Sequence, residues 1–400
     1  MRNGWQTKSL GEVCSFQRGL TYAKSDEVDV SSNAVLRAMN IDLTTNSLDF
    51  AELKYISDDV VVPAGKKVKK DSLIVCTASG SKSHLGKVAL VDDNYDYAFG
   101  GFMGMLTAKN GVVPKYLFHL MTSGAYKDFI GALSDGANIN NLKFDDLGRF
   151  QVPHPEEGEQ QRIVGILDEA FAGIATAKVN AEKSLQNARA LFESHLQSVF
   201  TRRGEGWAER KLEQIGKTQT GSTPKTSDSS NYGSSISFVK PGDFNTDGSL
   251  DYDKAGLSES GLAGARKVPA GSVLMVCIGA TIGKCGYCDR DVTTNQQINS
   301  LTPTDGSSCR FIYYQMLTEE FQRRVIYSSG QATLPIINKS KWSALPVWLP
   351  AAVAEQEQIA AAFDALVVET QRLESLYQRK LDALDALKQS LLHQAFSGGL

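Results

Sequence analysis

The amino-acid sequence predicts an α+β protein in which two pseudo-twofold-related mixed α/β domains are separated by a pair of long antiparallel helices forming a coiled coil. Three observations predict it. The chain has 400 residues, more than one ordinary core holds. Its second half repeats its first. Each half ends in roughly 40 residues whose apolar positions recur at alternating spacings of three and four. The boundaries follow: a first domain over 1–155, a first long helix over 156–203, a second domain over 204–350, and a second long helix over 351–400.

The repeat begins at Gly4-Trp5 and Gly206-Trp207, which place Leu10 on Leu212, Gln17 on Gln219 and Gly19 on Gly221 without a gap. Further on, Val62-Pro63-Ala64-Gly65 reads as the counterpart of Val268-Pro269-Ala270-Gly271, and Ser72–Cys76 of Val273–Cys277. Leu85-Gly86-Lys87 echoes Ile282-Gly283-Lys284. The helical segments agree at a constant offset of 196, with Gln160 on Gln356, Asp168 on Asp364, Leu191 on Leu387 and Phe200 on Phe396. So long a period marks a duplicated domain, not a solenoid.

Within each domain, short β-branched runs such as Ser72–Cys76, Lys87–Val91 and Ser237–Val239 alternate with Gly-, Ser- and Asn-rich turns. Brief helices are expected over Pro114–Leu133 and Arg310–Tyr327. Pro155 and Pro350 close the last strand before each long helix. The second helix has a seam of Phe363, Leu366, Thr370, Leu373, Tyr377, Leu384, Leu387 and Leu391, interrupted at Lys380. The first has the smaller Leu167, Ala170, Ile174, Ala177, Ala181, Ala188 and Leu191. A small seam and a large one pack on each other better than either packs on itself, which favours an antiparallel pair within the chain. The far-end residues Leu196, Phe200, Leu392 and Phe396 are expected to be core between helix and domain.

Composition narrows the function. Net charge is −3, which argues against coating nucleic acid through bulk charge but leaves room for local clusters. No run of apolar residues reaches membrane-spanning length and no export signal opens the chain, so a cytoplasmic location and no membrane partner are expected. Among six cysteines, Cys285 and Cys288 form a lone CxxC, more consistent with buried thiols than with metal. Gly279–Cys285 is one residue short of a phosphate-binding loop and carries Cys where its hydroxyl should be. Phe99-Gly100-Gly101-Phe102 has no dinucleotide-binding context, and the five histidines form no nucleophile or metal pattern. Catalysis is not expected.

The motifs in combination resemble the specificity (S) subunit of type I restriction–modification systems. They are the Gly-Trp opening of each half, Gln219-Thr220-Gly221-Ser222-Thr223-Pro224, Val239-Lys240-Pro241-Gly242-Asp243, Val268-Pro269-Ala270-Gly271, Gly283-Lys284, Thr294-Asn295-Gln296-Gln297 and Glu355-Gln356-Glu357-Gln358-Ile359. The second half matches more fully, since Phe99-Gly100-Gly101-Phe102 stands where it has Thr294-Asn295-Gln296-Gln297. The resemblance implies two target-recognition domains, each reading half of a split site in double-stranded DNA. It implies two helices that serve as spacer and as docking surface for two methyltransferase (modification) subunits, with restriction (helicase–nuclease) subunits joining them in cleaving systems. No cofactor is expected in this chain, because S-adenosylmethionine, ATP and Mg belong to the partner subunits. Two alternatives stay open: a protein-binding scaffold without DNA recognition, and a free-standing DNA-modifying enzyme.

A reader of base sequence needs Arg, Lys, Asn or Gln at base edges and cations or hydroxyls at phosphates. In the first half the candidates are Gln17, Arg18, Lys24, Lys82, His84, Lys87 and Asn138. In the second they are Gln219, Thr220, Ser222, Thr223, Lys225, Lys240, Thr281, Lys284, Asn295, Gln296, Gln297 and Thr333. Each has a plain structural reading beside the functional one: turns satisfy themselves, and amides at strand ends satisfy backbone groups. The cluster Lys66, Lys67, Lys69 and Lys70 reads equally as a solvated turn. Gln160, Gln161, Arg162, Gln356 and Gln358 are taken as exposed partner contacts, with an ordinary solvated helix face as the rival.

Overall fold

The computed structural model describes residues 5–81, 84–134, 141–330 and 334–400. It divides into two compact units, Met1–Ala181 with Arg379–Leu400, and Glu182–Gln378. Each unit therefore holds one α+β domain together with part of both long helices, Glu157–Arg202 and Val353–Ser397.

In the first unit an antiparallel sheet runs in the order Cys14–Arg18, Met103–Ala108, Ser72–Cys76, Val88–Leu90. Ser72–Cys76 is buried along its whole length because both faces are covered. Leu73 and Val75 enter a core with Leu117, Leu167 and Leu392, whereas Ile74 and Cys76 enter another with Leu36 and Phe99. The second core is closed by a smaller sheet ordered Glu27–Val28, Lys54–Ile56, Asn33–Leu36, Ala98–Phe99, whose last pair is parallel. The second unit repeats the plan with Gly216–Thr220, Ile298–Pro303, Ser272–Val276 and Cys285–Cys288, and a smaller sheet of Gly256–Leu257, Tyr232–Val239, Val292–Thr294 and Lys267–Val268. The ends of each domain are tied by one strand pair, Gln6–Ser9 with Gln151–His154 and Ala208–Lys211 with Pro346–Leu349.

The registers correct the alignment of the halves. Lys67 bridges Ala98 as Lys267 pairs with Thr293. Asp71 N donates to Val91 O as Gly271 N donates to Cys288 O. Val268–Gly271 is therefore matched by Val68–Asp71, not by Val62–Gly65, and Ser72 falls on Ser272. What the turn requires is a left-handed residue before the strand, supplied by Asp71 (φ 60°) and Gly271 (φ 76°). The similar letters at Val62–Gly65 are a coincidence of composition.

Other expectations are refined. The two brief helices are each a broken pair, Pro114–Leu120 with Gly124–Ser134 and Cys309–Met316 with Glu319–Ser329. Hydroxyls at Ser123 and Thr318 accept from Tyr126 N (3.4 Å) and Phe321 N (3.3 Å) and start the second helix of each. Cys285 and Cys288 lie on one strand at odd spacing, so their side chains enter opposite cores. They cannot share a metal, and among the described residues no group of three His, Cys, Asp or Glu is placed to hold one.

The long helices run antiparallel within each unit. In the first, Arg162 Nη2 donates to Leu400 O (2.9 Å) and Lys178 meets Asp385 (2.5 Å). In the second, Arg189 meets Glu374 (2.7 Å), while Phe192 and Phe200 contact Phe363. Leu167, Ile174, Ala181 and Ala188 are buried as the seam requires. Leu191 and Leu387 are not: they are 58% and 47% exposed. The stripe steps by four at these points, to Phe192 and Lys388, because the helix ends turn toward residues that pack on a domain. Lys388 Nζ lies 5.2 Å from the Phe171 ring centroid. Leu381, half-buried, takes the place of exposed Lys380. Leu196, Phe200, Leu392 and Phe396 are buried in the domain cores, as expected.

Candidate nucleic-acid interface

In the second domain four loop segments converge at one end of the main sheet. Gly221 N donates to Ile298 O (3.0 Å) and Ser222 N to Thr294 O (2.9 Å), laying residues 220–223 against 294–297. A Cβ at Gly221 would lie 2.2 Å from Asn295 O, so only glycine permits this approach. Cys277 N donates to Gln297 O (2.7 Å) and Gly279 N to Pro335 O (3.0 Å), which adds residues 279 and 334–336.

The side chains there are cross-linked. Thr220 Oγ1 donates to Asn299 Oδ1 (2.7 Å), Thr223 Oγ1 to Gln296 Oε1, and Asn295 Nδ2 to Gln297 Oε1 (2.9 Å). Arg266 Nη1 donates to Thr220 O (2.8 Å) and its backbone N to Ser222 Oγ (3.1 Å). Gln219 Nε2 donates to Lys267 O (2.8 Å). Of the second-half candidates, Gln219, Thr220, Ser222, Thr223, Asn295, Gln296 and Gln297 are thus brought together. Lys225 is exposed beyond this cluster, and exposed Lys240 holds its amine 5.4 Å from the Phe238 ring centroid.

The first domain builds the same frame with different side chains. Gly19 N donates to Met103 O (3.1 Å) and Leu20 N to Phe99 O (2.7 Å), and a Cβ at Gly19 would lie 2.0 Å from Gly100 O. Lys66 Nζ donates to Arg18 O (2.8 Å), doing for this loop what Arg266 does for the other. Phe102 O accepts from Thr77 N, Thr77 Oγ1 and Ala78 N, so Phe102 stands where Gln297 stands. These segments enclose a cavity of about 740 Å³ lined by Arg18, Lys24, Arg37, Ser79, Phe102 and Asn141, among others. Gln17 lies beside it, its Nε2 donating to Arg18 O (3.2 Å).

Other candidates are engaged elsewhere. Lys87 is 9% exposed and donates to Ile41 O (2.8 Å), and burial pushes its ammonium below the usual lysine range. Lys284 makes the same bond to Phe244 O (2.8 Å). These two lysines tie the sheets together, which corrects their reading as phosphate contacts. His84 and Thr281 sit on the turns just before them, their carbonyls accepting from Lys87 N (3.3 Å) and Lys284 N (3.1 Å). Lys82, Asn138 and Thr333 lie outside the described residues.

The partner-contact candidates divide likewise. Gln160 and Gln356 are 0% and 2% exposed, not solvated. Gln160 Oε1 accepts from Val113 N (2.9 Å) while Nε2 donates to Gly111 O (3.0 Å) and Pro155 O (2.9 Å). Gln356 accepts from Ser308 N (2.9 Å) and donates to Pro350 O (3.0 Å). Each amide locks the start of a long helix onto its domain. Gln161, Arg162 and Gln358 are exposed.

Sequence reasoning missed Arg37, Arg266 and Phe102. Arg37 follows its strand as Lys240 follows Phe238-Val239: Arg37 N donates to Asn40 Oδ1 (2.8 Å) and Lys240 N to Asp243 Oδ2 (2.7 Å). The shared signal is a capping side chain three residues on, hidden because Ala38-Met39 replaces Pro241-Gly242.

Comparison with known proteins follows this duplication. The family described as type I restriction modification DNA specificity domain matches twice, over residues 2–186 and 204–380. The type I restriction enzyme StySPI specificity subunit of Salmonella potsdam is 30% identical over 183 residues. That match covers 45% of this chain and 39% of the relative's length. An HsdS subunit from Thermoanaerobacter tengcongensis superposes with a TM-score of 0.66 at 19% identity, covering 100% of this chain and 98% of that one. A chain from work on complex assembly and conformational transition of the type I R-M system superposes with a TM-score of 0.80 at 19% identity, covering 100% and 99%. With both halves matched and the fold shared end to end, the chain belongs to the family of type I restriction modification DNA specificity domains, which it carries in two copies.

Proposed function

We propose that this chain is the non-catalytic sequence-specificity subunit of a type I restriction–modification enzyme, reading a bipartite site in double-stranded DNA with one half-site per domain. One observation carries the reading: a single hydrogen-bonded loop frame is built twice and furnished differently, with Arg18, Arg37 and Phe102 in one copy and Thr220, Lys240 and Gln297 in the other. A duplicated frame with unlike side chains suits two unlike half-sites. Two methyltransferase subunits dock on the long helices, using exposed residues such as Gln161, Arg162 and Gln358. S-adenosylmethionine, ATP and Mg act on the partner subunits, and restriction subunits join where the system cleaves. The assembly works in the cytoplasm, and no helix among the described residues is long and apolar enough to cross a membrane.

The test is methylation of a randomised duplex library by this chain with its methyltransferase partner. Two short specified blocks separated by an unspecified gap are expected. Inserting one helical turn into either long helix should change the gap and leave both blocks intact. Altered blocks with a constant gap refute the spacer role, and absence of any sequence preference refutes the reading as a whole.

A further inference from the structure

Phe102 is 73% exposed and lines the cavity of the first domain. It is also held firmly. Its carbonyl accepts from Thr77 N (2.9 Å), Thr77 Oγ1 (2.9 Å) and Ala78 N (3.1 Å), and at the preceding Gly101 a Cβ would lie 3.0 Å from Thr21 Oγ1 and 3.4 Å from Leu20 O. An aromatic ring fixed by its backbone and left in solvent resembles an anchor awaiting its surface.

Its surroundings indicate which surface. Arg18, Lys24 and Arg37 line the same cavity of about 740 Å³, and none makes an ion pair among the described residues. Glu27, the carboxylate in that lining, is held by Lys54 at 2.7 Å. Arg37 Nε is buried without an acceptor, a donor left incomplete by the protein itself. Three cations without an ion pair, facing a single carboxylate that Lys54 already holds, fit together with the projecting ring a polyanion with flat apolar faces, that is, nucleic acid bases between phosphates. In the second domain the same backbone position carries Gln297, whose amide is tied to Asn295.

Building on the proposed function, we propose that Phe102 enters the DNA of the first half-site and packs against a base, partly unstacking one step, while Arg18, Lys24 and Arg37 hold the flanking phosphates and base edges. The second half-site is read without such a wedge.

The experiment uses the full chain assembled with its methyltransferase partner and duplexes carrying 2-aminopurine at successive positions. With the wild-type complex, fluorescence should rise at one step in the first half-site without added methyl donor. Phe102→Ala should abolish that rise and weaken binding roughly 5- to 150-fold, the range for losing one base–aromatic stack. Phe102→Trp should retain the rise. The salt dependence of binding should stay unchanged, because an apolar contact releases no counterions. Wild-type binding with bipartite preference but no Phe102-dependent signal overturns the inference and leaves the proposed function standing. Impaired assembly of Phe102→Ala with the methyltransferase in the absence of DNA overturns it too, by making Phe102 a protein contact. A wild-type complex without sequence preference fails at the earlier step.

Discussion

Nε2 of His119 lies 3.0 Å from Oδ1 of Asp168, joining a buried helix of the first domain to the first long helix. Lys115 reaches the other oxygen of Asp168 at 2.6 Å. The second domain fills the same place with Arg310 and Tyr314 on Asp364. One joint is therefore built with a titratable ring and its twin with a permanent cation.

The difference predicts a pH dependence. Burial lowers the His119 pKa below its usual value; Asp168 opposes this, and Lys115 and Lys388 add to the lowering. With the folded value depressed, the unfolded chain takes up a proton first as pH falls, so stability is present above about pH 6.5 and is lost below it. Thermal stability of the wild type should therefore decline as pH falls below about 6.5. In His119→Gln, which keeps a hydrogen bond to Asp168, that part of the slope should be absent. A variant that follows the wild-type pH curve removes His119 from the explanation.

Gln160 and Gln356 supply a second prediction. Replacing either by Ala leaves a half-buried backbone N–H and one or more carbonyls without their side-chain partner, at a cost of ~1–3 kcal/mol. Gln161→Ala and Gln358→Ala, on the solvated face, should change stability by less than about 0.5 kcal/mol. Urea denaturation of the four variants separates the pairs, and equal effects across all four would contradict the buried tether.

Lys87 distinguishes a tether from a phosphate grip. Lys87→Ala leaves Ile41 O unpaired and opens a gap between the sheets, so it should lower stability by ~1–3 kcal/mol. The slope of log affinity for DNA against log salt should stay as in the wild type. Loss of about one unit of slope is instead the signature of a lost phosphate contact. Arg18→Ala should show that loss with little change in stability.

The duplication, the helix pair and the helix–domain core at Leu196, Phe200, Leu392 and Phe396 were legible in sequence, because apolar periodicity and spacing encode them directly. The site was less so. Arg37 and Lys240 share a place set by a capping side chain, while the letters between differ. Val62–Gly65 misled because the structure conserves a left-handed turn at Asp71 and Gly271, not a string of residue types. Lys87 looks like a loop cation until the partner carbonyl, remote in sequence at Ile41, is known. Hydrogen bonds across long sequence separations leave no local pattern to read.

Leu191 and Leu387 carry the last prediction. They occupy the same position of the two helices and both remain exposed after the seam has closed. Equivalent exposed positions on a duplicated element fit two copies of one partner, and in the proposed function those are the two methyltransferase subunits. Leu191→Glu and Leu387→Glu should each fold normally, since exposed substitutions shift stability by only about 0.5 kcal/mol. Each should weaken one of two docking events, so native mass spectrometry at limiting concentration should show one bound methyltransferase in place of two. The double variant should bind neither while keeping the fold, as checked by circular dichroism. Full assembly by the double variant would place the docking surface elsewhere on the helices.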